Sequence, residues 1–248
     1  MAKKRKKHSK IKYKLITPFG PTIMSGQMPK DIFEEFESVI DEVLEKKSKN
    51  HGDHLAGRID DEWHIDEGYF QFGNLGPFLD SIVAKYTSSV VERFAELGAI
   101  TDKERGGEIE IGVTPQRLSG WVNSMKSGEY NPVHHHPQCN ITTVFFFDDM
   151  DEDFVDDIIA PTQTDTYFTP DAHRKGTTDD GTLQIFYNTN HYYEIGSFTY
   201  RPKKGTFLIF PAFLSHGVNP FISKKRRRTA SINYIVTTNN NNTTFGAR

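Results

Sequence analysis

The sequence predicts a mainly β protein of the α+β class, a double-sheet jelly roll with flanking N-terminal helices. Three observations lead to this prediction. The length of 248 residues suffices for one sizeable core. Segments of helical periodicity lie in the first part of the chain. From residue 108 onward, short β-branched and aromatic segments recur between clusters of Gly, Pro, Asn and Asp.

The bulk composition is that of a soluble chain. Hydrophobic residues make up 36% of the sequence and the mean hydropathy is -0.58. The chain contains no apolar run of the roughly eighteen residues that a membrane span requires. Cys139 is the single cysteine, which excludes an intramolecular disulfide framework and suits a reducing compartment. We therefore expect a cytoplasmic protein that has no membrane contact.

Two helices are expected within a support region that spans residues 15–107. The first begins after Pro29, which suits an opening helical turn, and the second runs from about Pro77 to Leu97. Both should pack one face against a sheet. Their apolar positions are Ile32, Phe33, Phe36, Val39, Ile40, Val43 and Leu44 in the first helix, and Phe78, Leu79, Ile82, Val83, Tyr86, Val90, Val91, Phe94 and Leu97 in the second.

Residues 108–238 should form the jelly-roll core. A period of two begins at residues 108–113 and continues through Leu118 to Asn123. The later strands are expected at residues 141–147, 183–187, 197–200, 206–210 and 228–236. An insertion at residues 148–182 interrupts this core, and its first ten residues include seven acids.

Both ends of the chain are predicted to be disordered. Residues 1–14 contain eight Lys or Arg and no acid, and residues 239–248 open on an Asn-rich, low-complexity stretch. The net charge is only -3, so any affinity for nucleic acid must come from a local patch. The basic arm could make a weak contact of this kind with an anionic partner or with nucleic acid.

Three consecutive histidines, His134, His135 and His136, stand just before the predicted strand 141–147. In an extended chain His134 and His136 share one face, with Cα atoms roughly 6.5 Å apart, and His135 points the other way. Two imidazoles on one face form a clamp for a metal ion, and His216, after the apolar segment 205–211, could complete it. A surface cluster or a closed zinc site is the alternative interpretation.

The order of these motifs resembles the Fe(II)- and 2-oxoglutarate-dependent oxygenases, most closely those that marine bacteria and their phages carry. The resemblance covers the second half of the chain well and the first quarter hardly at all. It depends on Trp121-Val122-Asn123, Tyr130-Asn131, His134-His135-His136-Pro137, residues 205–211, His216-Gly217-Val218-Asn219-Pro220 and residues 227–233, with Leu55-Ala56-Gly57 as a weaker upstream match.

The resemblance implies a dioxygenase that uses Fe(II), 2-oxoglutarate as cosubstrate and O2, and that hydroxylates a substrate with release of succinate and CO2. It implies His134, His136 and His216 as metal ligands and catalytic residues, with His136 where most of the superfamily has a carboxylate. Arg227 would bind the distal carboxylate of the cosubstrate, as strand alternation from Arg227 to Asn233 also suggests. The other expected cosubstrate contacts are Asn123, Asn131, Ser231 and Asn233.

Several residues near these motifs have a second interpretation. Tyr130, Asn123 and Asn131 could contact the cosubstrate or orient an imidazole, or Asn131 could serve only a turn with Pro132. Trp121 is expected in the core and Asp148 and Asp149 are not expected to bind metal. His135, His173 and His191 are interpreted as residues outside the metal site.

Two other functional classes stay open at this point. One is a cupin-like metalloenzyme with three histidines and no 2-oxoglutarate, and the other is a non-catalytic jelly-roll module of a binding or viral structural protein. The primary substrate is also open, because the acidic insertion favours a basic ligand and the basic arm favours an anionic partner. If the chain is viral, the expected location is the host cytoplasm.

Overall fold

The computed structural model describes residues 12–16, 20–52, 59–96, 112–150, 179–187, 196–221 and 223–238. Several predicted features lie outside these ranges. They are most of the basic arm, the Leu55-Ala56-Gly57 segment, most of the acidic insertion, His173, His191 and the Asn-rich tail.

Helices occur at both places where apolar spacing predicted them. The first, α1, spans Lys30–Lys46, and the second, α2, spans Leu75–Glu96 and so begins two residues before Pro77. Lys47, which follows α1, adopts a left-handed conformation and its backbone N–H donates to Val43 O, which ends the helix. No helix in the described ranges is long and apolar enough to cross a membrane.

Eleven strands in the described part of the chain form two antiparallel sheets. The larger sheet has seven strands in the order β1-β2-β9-β6-β11-β4-β3, and the smaller has four in the order β5-β10-β7-β8. The strands are β1 Lys12–Ile16, β2 Ile23–Gln27, β3 Glu62–His64, β4 Val113–Met125, β5 Asn131–His134, β6 Ile141–Phe146, β7 Leu183–Phe186, β8 Ser197–Tyr200, β9 Thr206–Pro211, β10 Ser215–Val218 and β11 Arg227–Thr238.

Alternation along the central strands separates two cores. In β6, Phe145 faces the helices, where its ring lies 5.2 Å from the ring of Phe36 in α1. Its neighbours Val144 and Phe146 face the other way and pack with Leu183 and Ile185 of the smaller sheet. The seven-stranded sheet is therefore buried on both faces, by helices on one side and by the second sheet on the other.

Three short strands lie where the sequence predicted none, because β2 and β3 fall in the support region 15–107 and β1 begins at Lys12, within the arm of residues 1–14 that was predicted to be disordered. They are β1, β2 and β3, and they lie at the two edges of the seven-stranded sheet, where β2 pairs with β9 and β3 pairs with β4. These segments are short, of three to five residues, and each of them includes polar residues. Their formation depends on long-range pairing, which local periodicity does not report.

Candidate metal centre

The pairing of β5 with β10 brings two distant histidines together. His134, the last residue of β5, lies directly opposite His216 of β10. His136 lies two residues beyond β5, where its backbone N–H donates to Ala212 O at 3.1 Å. That hydrogen bond fixes the turn after β5 against the loop that leads into β10, so all three imidazoles meet at one edge of the smaller sheet.

The structure corrects one detail of the sequence prediction. The histidines do not open the strand that contains Ile141, because His134 ends β5 in the four-stranded sheet and β6 belongs to the seven-stranded sheet. Residues 135–140 cross from one sheet to the other, and Gln138 in this crossing has a φ of 74°. His136 therefore reaches the centre from the crossing segment and not from a strand.

A β-bulge in β5 changes which residues face the centre. His134 pairs with His216 while Asn131 pairs with Val218, so β5 has one residue more than β10 over this interval. Asn131 and His134 consequently face the same side, although strict alternation would separate them. Gly217 permits the bulge, because a Cβ atom there would lie only 3.0 Å from the backbone oxygen of Asn131.

The three imidazoles converge. Their ring centroids are 4.5 Å apart for His134 and His216, 4.9 Å for His136 and His216, and 5.1 Å for His134 and His136. One ring nitrogen from each lies within 4.8 Å of the other two. In the described part of the chain, this is the one group of three or more His, Cys, Asp or Glu residues with that geometry.

Each imidazole has the tautomer that metal coordination requires. Nδ1 of His134 donates to Pro132 O at 2.8 Å, and Nδ1 of His216 donates to Leu214 O at 2.9 Å. Nδ1 of His136 donates to Asn233 Oδ1 at 2.7 Å. Because oxygen acceptors hold the proton on Nδ1, the Nε2 lone pair of each ring is available to a metal ion. The donor set thus fits a divalent transition metal.

Burial keeps the three histidines uncharged. It lowers the pKa of His216 to about 3 and that of His136 to about 4, and it also lowers the pKa of His134. Repulsion between neighbouring imidazoles adds to the effect at each residue. Neutral imidazole is the form that binds metal, so the site is ready to bind at neutral pH.

These pKa shifts predict an acid-sensitive fold in the metal-free protein. In the unfolded chain the imidazoles of His136 and His216 titrate near pH 6.5. The free energy of unfolding therefore keeps its full value above that pH and decreases as the pH falls toward the folded-state pKa values of about 4 and 3. Between pH 7 and pH 5, each of these two histidines should lower the free energy of unfolding by about 1–2 kcal/mol. Urea denaturation at the two pH values measures the loss. The variant His216→Gln should show a smaller loss, and an equal loss in both proteins would contradict this assignment.

Arg227 lies at the start of β11 and is 1% exposed. Its Nε donates to Gly181 O at 2.9 Å, one terminal nitrogen contacts the Met125 sulfur at 3.7 Å, and the other has no hydrogen-bond partner in the ranges that the structure describes. The guanidinium lies over the Phe146 ring, 5.8 Å from its centroid. Asp148 acts on this cation only through its charge, because its carboxylate is hydrogen-bonded to Arg228.

A buried cation of this kind indicates an anionic ligand. Burial lowers the pKa of Arg227 to about 10, yet the group remains charged at neutral pH. An unpaired charge in a protein interior is costly, and a carboxylate that bound it in a bidentate manner would remove the cost. Arg227 and Asn233 lie on the same strand, and Asn233 holds His136, so β11 links the cation to the three histidines.

The remaining candidate residues differ in their positions. Asn123 and Asn131 are buried, and within the described part of the chain the side-chain oxygen of each has no hydrogen-bond partner. Ser231 is buried on β11, whereas Tyr130 is half-exposed and His135 is exposed. Asp149 accepts a hydrogen bond from the backbone of Lys204 and, like Asp148, is not part of the histidine group.

One wall of the centre was not foreseen from the sequence. The Trp121 ring, which was expected in the core, is buried but lies 5.3 Å from the ring of His136. His51 stacks on the same indole at 4.6 Å. Glu62 and His64 of β3 pair with Asn123 and Trp121 of β4. The proximity of Glu62 and His64 to Trp121 depends on the pairing of β3, a three-residue strand for which the sequence carries no local signal.

Comparison with known proteins gives one family match. Residues 119–233 match the model of a family described as "Putative 2OG-Fe(II) oxygenase". The matched segment contains the three histidines and Arg227. No curated protein sequence matches the chain.

Several solved structures are similar to this chain. A prolyl-4-hydroxylase from Pseudomonas putida is 12% identical with a TM-score of 0.46, over 86% of this chain and 91% of that chain. A prolyl hydroxylase from Trichoplax adhaerens, in complex with a hypoxia inducible factor peptide fragment, is 14% identical with a TM-score of 0.44, over 90% and 83%. The viral collagen prolyl hydroxylase of Paramecium Bursaria Chlorella virus-1 is 12% identical with a TM-score of 0.39, over 90% and 94%.

Proposed function

We propose that this protein is an Fe(II)- and 2-oxoglutarate-dependent dioxygenase that hydroxylates its substrate. The observation that carries the proposal is Arg227, a buried cation with an unpartnered N–H on the strand that also holds His136. Three neutral histidines alone would suit several metalloenzymes. Their combination with a buried anion-binding group selects a reaction whose cosubstrate is both a metal chelator and a carboxylate.

His134, His136 and His216 would hold the metal through Nε2. Bound Fe(II) supplies the activation of O2 that couples conversion of 2-oxoglutarate into succinate and CO2 with hydroxylation of a C–H bond. The protein orients the ligands through the acceptors on Nδ1, which are two backbone carbonyls and the Asn233 amide oxygen. Three protein ligands leave positions open for a bidentate keto acid and for O2.

The histidine at position 136 changes the charge of the centre. Most members of the superfamily that this sequence resembles have a carboxylate there, and this chain supplies a neutral imidazole, as its lowered pKa of about 4 requires. The metal would therefore keep its full positive charge. A more positive centre attracts the dianionic cosubstrate more strongly, so the change is compatible with the same reaction.

Arg227 would fix the far end of 2-oxoglutarate. Its free terminal nitrogen can donate to the distal carboxylate in surroundings from which water is excluded, where a charged hydrogen bond is strong. We assign Asn123, Asn131 and Ser231 as polar contacts of the same ligand, since they are buried and the two amide oxygens have no partners among the described residues. The two sheets would enclose this ligand as the walls of a double-stranded β-helix.

Two alternatives make different demands on these residues. A cupin-like three-histidine enzyme without a keto acid needs the metal ligands and has no use for a buried Arg227. A non-catalytic jelly-roll module needs neither, and it would have no reason to maintain three Nδ1–H donors and three free Nε2 atoms. Arg227 therefore favours the dioxygenase over both.

Turnover of the cosubstrate tests the proposal without knowledge of the substrate. Enzymes of the proposed class are expected to convert 2-oxoglutarate slowly to succinate without a substrate. Purified protein with Fe(II), ascorbate and air should therefore form succinate, and omission of Fe(II) or addition of a chelator should stop it. Wild type and the exposed-site variant His135→Ala should behave alike. Succinate formation that is equal with and without the protein would contradict the proposed reaction.

A further inference from the structure

The wall beside Trp121 is an extension of the seven-stranded sheet. Beyond β3, the segment that contains Asn50 adds a further antiparallel connection, with a bridge between Asn50 and Trp63. The backbone of His51 donates to Glu62 O at 2.9 Å, and that of His64 donates to Lys49 O at 2.9 Å. Side chains from this edge therefore stand next to those of β4 on the same surface.

The register decides which of these side chains face the metal centre. Glu62 lies opposite Asn123, and His64 lies opposite Trp121, and paired residues of an antiparallel ladder point to the same face. The face in question is the one from which the Trp121 ring contacts His136. Glu62 thus points toward the same interior space as Asn123, one pair of residues away from the indole.

Glu62 is a buried acid whose hydrogen-bonding capacity is not fully used within the described residues. It is 1% exposed, and its Oε1 atom has no hydrogen-bond partner within the described part of the chain. Burial raises the pKa of Glu62 to about 7. A buried carboxyl oxygen without a partner costs free energy, and a hydrogen-bond donor from a ligand would remove that cost.

Other buried acids in the same region are satisfied. Glu129 accepts from the backbone of Asp60 at 3.2 Å and from the backbone of Lys126 at 2.7 Å. Asp61 is paired with Lys47 and Arg226, which lowers its pKa to about 2 against the effect of burial. Since its neighbours obtain partners from the fold, the missing partner of Glu62 is expected to come from a ligand.

We propose that Glu62 binds a positively charged N–H group of the primary substrate, an amine or a guanidinium, beside the metal centre. The carboxylate offers a charged acceptor, and the stacked rings of Trp121 and His51 offer an aromatic surface suited to a cation or to its alkyl stem. Gly52 leaves room for the Glu62 carboxylate, because a Cβ atom at position 52 would lie 3.1 Å from Glu62 Oε2.

This assignment divides the interior between two ligands of opposite charge. Arg227 attracts the carboxylate of the cosubstrate, and Glu62 attracts the cation of the substrate, so each ligand is rejected from the other's position. The word substrate rests on the proposed dioxygenase function. The cation site itself does not depend on that function. Its residues are Glu62 of β3, Trp121 of β4 and His51 of the segment before β3, and none of them is one of the three histidines of the metal centre.

The test measures binding of simple cations to the full chain without turnover. The probes are butylguanidinium and butylammonium, with butyramide as the neutral control, observed by ligand-detected NMR at pH 7.5. Wild type should bind at least one cation and prefer it to butyramide. Glu62→Gln should weaken that binding at least about 10-fold, in line with loss of a buried charged partner. The variant Asp60→Asn, which removes an exposed acid two positions away, should bind as wild type does.

Three outcomes would overturn the inference. Equal binding of the cations by wild type and Glu62→Gln would assign Glu62 a structural role, and so would a wild-type protein that prefers butyramide or binds neither cation. If Glu62→Gln does not fold, binding of the cations and of butyramide to wild type still tests the inference, because a preference for butyramide would overturn it. Cation binding that depends on Glu62 in a protein that makes no succinate would refute the proposed reaction and leave the cation site.

Discussion

Replacement of His216 by alanine is expected to reduce Fe(II) affinity by at least about 100-fold and to abolish succinate formation. Loss of a residue that only orients a ligand costs about 10- to 100-fold in metal affinity, and His216 is assigned as a ligand itself. Its ring is close to both of the others, with its centroid 4.5 Å from that of His134 and 4.9 Å from that of His136. Equilibrium titration with Fe(II) under anaerobic conditions measures the effect.

The matched control for this prediction is His135→Ala. His135 has the same chemistry and adjoins two of the proposed ligands, but it is exposed and does not belong to the group of converging nitrogens. Its removal should leave Fe(II) affinity within about twofold of wild type. A His216→Ala protein that retains wild-type Fe(II) affinity, or a His135→Ala protein that loses it, would remove the three-histidine assignment.

Replacement of Arg227 by methionine is expected to weaken 2-oxoglutarate binding by about 100-fold and to leave Fe(II) binding unchanged. Truncation of one partner of a buried charge pair costs about 2–5 kcal/mol, and about 2.7 kcal/mol corresponds to 100-fold. Methionine fills similar space and removes a buried charge that has no acid hydrogen-bonded to it within the described residues. The fold should therefore not lose stability on this account.

The neighbouring Arg226 provides the control. It lies just before β11 and donates to Asp61 Oδ2 at 2.5 Å and to Ser124 Oγ at 2.7 Å, and it is not assigned to the cosubstrate. Arg226→Met should lower stability without a change in 2-oxoglutarate affinity. If Arg227→Met binds 2-oxoglutarate as wild type does while Fe(II) is bound, the cosubstrate assignment fails and the cupin-like alternative becomes the better account.

The sequence predicted the elements whose pattern is local. Strands β6, β9 and β11 are rich in β-branched and aromatic residues, and both helices carry one apolar face, so their positions agree with the structure to within a few residues. The alternation that separated Arg227 from Arg228 also agrees. Arg227 faces the second sheet near Phe146, and Arg228 reaches Glu37 and Asp41 of α1.

Features that depend on register were not predictable in the same way. Asn131 shares a face with His134 only because of the bulge opposite Gly217. The contact between His136 and Asn233 joins residues that are 97 positions apart. Glu62 reaches the interior because a three-residue strand pairs with β4, and three residues are too few to show a period. The convergence of His134, His136 and His216 could be anticipated from spacing, whereas the position of Glu62 required the fold.

Anaerobic titration of the Fe(II)-loaded protein with 2-oxoglutarate tests the central claim most directly. A keto acid that chelates Fe(II) through its carboxylate and carbonyl oxygens gives a weak visible metal-to-ligand charge-transfer band. The account predicts that this band appears and saturates for wild type, is absent for His216→Ala, and requires a far higher 2-oxoglutarate concentration for Arg227→Met. Fe(II) that is bound by wild type without any band at saturating 2-oxoglutarate would contradict the account.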